Sequence, residues 1–62
     1  MSIEVKTLTE RDEGREVVFA PPWGPAEEGV IDSWNERYVY VLYRRQSEAH
    51  ATSPDYLEFA RK

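Results

Sequence analysis

Apolar and polar residues alternate in short runs bounded by proline, glycine and small polar residues, the pattern of strands joined by tight turns. Residues 8–14 read as a turn in which Thr9 caps one helical turn, Asp12 follows three residues on, and Gly14 ends it. Residues 15–20 carry Val17, Val18 and Phe19, β-branched and aromatic side chains that suit a strand. Pro21-Pro22-Trp23-Gly24-Pro25 closes that strand, because proline cannot donate to a ladder and glycine permits a turn. A second strand is expected over 27–34 and a third over 37–44. Asn35-Glu36 is then the polar turn of an antiparallel hairpin whose register the sequence leaves open. Along the third strand Val39, Val41 and Tyr43 alternate with Tyr38, Tyr40 and Leu42. The β-branched set is assigned inward, opposite Ile31, which leaves Tyr38 and Tyr40 outward near Trp34 or the proline-rich loop. A slip of one residue would exchange the two sets.

Residues 46–51 are small and polar, a loop running into a short strand. Ser53-Pro54-Asp55-Tyr56-Leu57 has the cap-then-proline order of a helical start. A short helical turn over 54–57 is expected there, with Leu57 and Phe59 adding a closing strand by their period of two. A helix over 54–61 is the alternative. Val17, Ile31, Val39, Val41 and Leu57 should share one core, with Gly29 at a bend or bulge. Residues 1–6 are expected to be flexible or to form an edge strand of a single domain spanning 1–62. The sum is an all-β fold, a small five-stranded antiparallel barrel, since closure removes exposed sheet edges.

Four stretches carry a likeness to known proteins: Leu8 with Gly14-Arg15-Glu16-Val17-Val18-Phe19; Glu28-Gly29-Val30-Ile31-Asp32-Ser33-Trp34-Asn35; Tyr38-Val39-Tyr40-Val41; and Thr52-Ser53-Pro54-Asp55-Tyr56-Leu57. In these the chain resembles small SH3-like barrels of the Tudor and KOW type. It is also similar to short proteins of bacteriophages and prophages that share a Gly-Val-Ile-x-Ser-Trp-Asn turn followed by Tyr-Val-x-Val. The likeness spans residues 8–57. It implies an SH3-like barrel, and proteins of that shape often bind peptides, nucleic acid or methylated side chains through aromatics on one edge. No activity attaches to the pattern itself.

Composition narrows the function classes. At 62 residues and 7.3 kDa the chain has room for one domain and no deep substrate pocket. It has no cysteine, which excludes disulfides and thiolate metal sites. No apolar run approaches the ~20 residues of a membrane span, and Met1-Ser2-Ile3-Glu4 does not begin a secretory signal. A soluble, cytoplasmic protein is expected. The net charge of −4 falls within residues 1–31, which counts against ordinary nucleic-acid binding.

The inventory argues against an enzyme. His50 is the only histidine, no serine sits in a nucleophile elbow, and Glu27 and Glu28 point to opposite faces of a strand. No catalytic residue, metal site or cofactor is expected. Three surfaces remain as binding candidates. The first is aromatic: Trp23, Trp34, Tyr38, Tyr40, Tyr43 and Tyr56 are more large rings than so small a core can absorb, exposed rings favour interfaces, and Trp23, Trp34, Tyr38 and Tyr40 are taken as the binding face. Trp34, Tyr38 and Asp32 are also candidates for a cation cage, which needs converging rings and a carboxylate. The second is basic, at Arg37, Arg44 and Arg45, and would serve nucleic acid. The third is acidic, at Asp12, Glu13, Glu16, Glu27 and Glu28, and would mimic a phosphate backbone to inhibit a host defence protein. The leading expectation is a non-enzymatic binding module of phage or prophage origin. It would dock on a host or phage protein, or on a second copy of itself, through the aromatic surface.

Overall fold

The computed structural model describes residues 3–60. Five antiparallel strands form one sheet: β1 (Glu16–Phe19), β2 (Glu27–Trp34), β3 (Val39–Tyr43), β4 (His50–Thr52) and β5 (Leu57–Phe59), in the order β4-β3-β2-β1-β5. The only helical pieces among the described residues are three single 3₁₀ turns, Val5–Thr7, Glu10–Asp12 and Pro54–Tyr56. No helix among them is long and apolar enough to cross a membrane.

The all-β reading and the five strands hold, and so does the turn-then-strand ending. Ser53 accepts from the Asp55 N–H, Pro54 occupies the first position of the 3₁₀ turn, and Leu57–Phe59 then pairs with β1. In its hydrogen bonding the sheet is open. No ladder joins β4 to β5 among the described residues. Those edges are joined covalently instead, because residues 53–56 carry the chain from one to the other as a proline-started turn with no strand conformation to share. Each edge strand is only three residues long, which leaves little ladder for a stray partner to extend.

β1, β2, β3 and β5 supply one buried apolar cluster and β4 adds the buried Thr52, so the sheet wraps around its concave face. Val17, Ile31, Val39, Val41 and Leu57 are buried together, as the alternation requires. Ile3 joins them, and its N–H donates to the Pro54 carbonyl at 3.1 Å. Val5–Thr7 is a 3₁₀ turn rather than an edge strand, and the branched side chain of Ile3 adds apolar area that a small core lacks. The expectation for Met1 and Ser2 lies outside the described residues.

The β2–β3 hairpin differs from expectation in two ways. Its turn is centred on Glu36 and Arg37, one residue later, because the Asn35 side-chain carbonyl accepts from both the Arg37 and Tyr38 N–H groups at 2.8 Å. β3 thus begins at Val39 rather than at Arg37. The register shift falls between Ile31 and Ser33, not at Gly29. Gly29 instead pairs regularly with Val17 and Tyr43, and its role is close approach: a Cβ there would lie 2.8 Å from the Leu42 carbonyl oxygen.

At the opposite end of the sheet Arg15 ties the first turns to the last strand. Its guanidinium lies 3.8 Å from the centre of the Phe59 ring and 3.0 Å from the Asp12 carboxylate.

Candidate functional site

The bulge at Asp32 redistributes the aromatic residues. An uninterrupted strand would place Ser33 on the same face as Ile31; the extra residue puts Trp34 there instead, opposite Val39 and half-buried against the core. Tyr40, opposite Ser33 and Ala51, stays on the convex face, where its hydroxyl accepts from the Asn35 side-chain amide at 3.1 Å. Tyr38 is exposed in the turn. Trp34, Tyr38 and Asp32 therefore do not converge on one exposed face, and the cage expected there is not built. Trp23 lies beyond the Glu27 end of β2, the whole of that strand away from Trp34, or roughly 23 Å of extended chain. The four rings singled out in the sequence do not form one surface.

A different set of rings does. Phe19 follows Val17 by two residues and Tyr43 follows Val41 by two, so both continue core-facing rows to the same end of the concave face. Trp23 from the β1–β2 loop and Tyr56 from the last 3₁₀ turn meet them there. Phe19 stands edge-on to Trp23, Tyr43 and Tyr56, with ring centres 6.5, 6.3 and 6.4 Å away. Trp23 and Tyr56 are 5.0 Å apart at 78°. Phe19, Trp23 and Tyr56 are thus nearly perpendicular to one another, an arrangement in which ring edges meet ring faces favourably.

The loop that presents Trp23 is constrained. Pro21 is buried, Pro22 and Pro25 fix two further backbone angles, and the Ala20 N–H donates to the Tyr56 carbonyl at 2.8 Å. Trp23 nevertheless remains 70% exposed. A large ring held in place with most of its surface in water is the unusual feature of this molecule.

Beside these rings runs an open groove of about 320 Å³, lined also by Glu27, His50, Ala51, Thr52 and Ser53. Its floor is polar and fully satisfied. Thr52, the one buried polar residue among the described residues, donates its hydroxyl proton to the His50 carbonyl at 3.2 Å, so the Tyr43 hydroxyl donates to Thr52 at 2.8 Å. Burial, aided by the negative charge of Glu27, holds the Tyr43 hydroxyl above its ordinary pKa. His50 is exposed, its ring centre 6.5 Å from that of Tyr43.

The charged candidates separate. Arg37 lies in the β2–β3 turn and Arg44 and Arg45 lie past the other end of β3, with the full strand between them. Arg44 is also paired with Glu28 at 3.4 Å. Asp12 accepts from the Thr9 N–H and pairs with Arg15, and these two contacts lower its pKa in that order. Glu13 and Glu16 are exposed, whereas Glu27 and Glu28 fall on opposite faces of β2. The five acids do not share one surface. No group of three potential metal ligands converges among the described residues.

Phe19 and His50 line the groove without having been singled out for it, and Tyr43 and Tyr56 were counted among the surplus rings but not assigned to the binding face. The period of two already puts Phe19 and Tyr43 at the ends of core rows. What brings Trp23 and Tyr56 to them is the β1–β5 pairing, which leaves no local signature. Comparison with protein-family models, curated proteins and solved structures found no match for the chain.

Proposed function

We propose that this protein is a non-enzymatic binding module that docks on an extended segment of a protein partner through the groove bounded by Phe19, Trp23, Tyr43 and Tyr56. The observation that carries the reading is Trp23: exposed to 70%, stacked edge-on against two other rings, and presented by a proline-rich loop. A ring already held in its binding posture loses little entropy when a partner covers it. The groove volume of about 320 Å³ is at the low end for ligand pockets and the groove is open, which suits one or two side chains of a peptide. Tyrosine and tryptophan present an apolar body with a polar tip, the combination enriched at interface centres. The likeness to phage and prophage proteins supports a phage-encoded module acting on a host or phage protein in the cytoplasm.

A display library of extended peptides screened in parallel against the parent, Trp23→Ala and Tyr38→Ala tests the reading. Peptides retained by the parent and by Tyr38→Ala but lost by Trp23→Ala are the expected result. Peptides that bind all three proteins equally, or none of them, would remove the groove as the docking site.

A further inference from the structure

The charges around the groove specify more than an apolar ligand. Glu28 is paired with Arg44 and Asp12 with Arg15, but the Glu27 carboxylate makes no hydrogen bond or ion pair among the described residues. Its strand partner is Phe19, so its carboxylate stands on the same side of the sheet as the ring cluster and lines the groove. Neither arginine that follows β3 is among the lining residues there. Three mutually near-perpendicular rings, one of them largely exposed, thus adjoin an acid that forms no ion pair among the described residues, although Arg44 and Arg45 line the neighbouring groove that Glu27 also borders.

Resting on the docking reading above, we propose that the groove recognises an alkylammonium group, the side chain of a lysine in an extended partner segment. The aromatic faces carry negative quadrupolar charge and attract a cation laid over them, and the attraction grows as the rings exclude water. Glu27 supplies the full counter-charge, and the four-carbon stem of lysine covers the apolar body of Trp23 and Tyr56. The constellation sought at Trp34, Tyr38 and Asp32 is assembled at the other end of the sheet, from residues that β1, β2 and the last 3₁₀ turn bring together. The convex face offers no equivalent: its half-buried row of Val18, Val30 and Leu42 is bordered by Glu28, whose charge Arg44 already answers.

The test uses three capped heptapeptides, Ala-Pro-Ala-X-Ala-Pro-Ala, in which X is lysine, its uncharged analogue norleucine, or glutamate. Binding is followed by the indole N–H resonances of the two tryptophans, which lie at opposite ends of the sheet. The lysine peptide should move the Trp23 signal and leave Trp34 in place, binding about fivefold more tightly than the norleucine peptide. Glutamate at X should bind more weakly than either. Glu27→Gln should erase most of the lysine preference, while Glu13→Gln, an exposed acid outside the groove whose loss changes net charge equally, should preserve it. Equal affinity for lysine and norleucine would overturn the cation proposal and leave the docking reading standing. Equal losses in the two glutamine variants would reduce the preference to general attraction by an acidic protein and also overturn it. If no peptide moves the Trp23 signal, docking and cation recognition both fall.

Discussion

Replacing Gly29 by alanine tests whether the close approach of β2 to β3 is what holds the sheet wrapped around its core. A methyl group there would sit 2.7 Å from the Val41 Cγ1, 2.8 Å from the Leu42 carbonyl oxygen and 3.2 Å from the Leu42 carbonyl carbon. Two of these three atoms are backbone, so rotating a side chain relieves only one contact. Restoring ordinary separation requires β3 to move by about 0.6 Å, and Val41, which moves with it, is fully buried. Overpacking of this kind costs about 1–3 kcal/mol, offset by about 0.4–1 kcal/mol from the stiffer unfolded chain. A net loss of ~1–2 kcal/mol should lower the melting temperature by about 5–15 °C in so small a domain. Calorimetry alongside urea titration of Trp34 fluorescence measures it. Two other glycines calibrate the result. Gly24 has nothing within 4 Å of the same methyl position, so Gly24→Ala should be neutral or slightly stabilising. Gly14 has equally open space but a φ of +79°, so Gly14→Ala should lose about 1 kcal/mol through backbone strain alone. A Gly29→Ala protein that melts with the parent would mean that β3 shifts freely and that the approach is not tight.

Ile31→Ala removes one of the largest fully buried side chains and should cost ~2–4 kcal/mol of a total near ~3–5 kcal/mol, leaving the variant largely unfolded by circular dichroism at ambient temperature. Thr52→Val keeps the shape but takes away the hydroxyl that accepts from Tyr43; a loss of about 1 kcal/mol in urea titration is expected, and an unchanged midpoint would show that water replaces it. The pKa of Asp12 is lowered below its ordinary value of 3.8, so its stabilising contribution is present above that pH and fades as pH falls through the lowered value. The urea midpoints of the parent and Asp12→Asn should accordingly differ at pH 6 and converge toward pH 2; a gap that persists there would mean the Asp12 contacts do not act through its charge.

The core was legible in the sequence because burial in a strand has a period of two and needs no knowledge of the partner. Val17, Ile31, Val39, Val41 and Leu57 could be grouped on alternation alone, and all five are buried together. The Ser53-Pro54 start and the Thr9-to-Asp12 turn were equally readable, since capping is local chemistry. The site was harder to read for the opposite reason. A single extra residue at Asp32 turned Trp34 inward, and nothing in Ile31-Asp32-Ser33-Trp34 announces a bulge. Tyr56 joins Phe19 only through the pairing of β5 with β1, whose residues are about forty positions apart in sequence. Ile3 escaped notice because a lone apolar residue ahead of the first strand has no period to betray it.

The same long-range pairing sets an order in time. β2 and β3 are joined by a tight turn and can meet early, whereas Leu57–Phe59 must close most of the chain into a loop before reaching β1. Trp34 belongs to the early hairpin. Trp23 meets Tyr56 only after the final closure. The two indoles are therefore clocks for different stages of folding. A nascent or partly folded chain has no groove to offer, so the proposed docking would be confined to molecules that have finished folding.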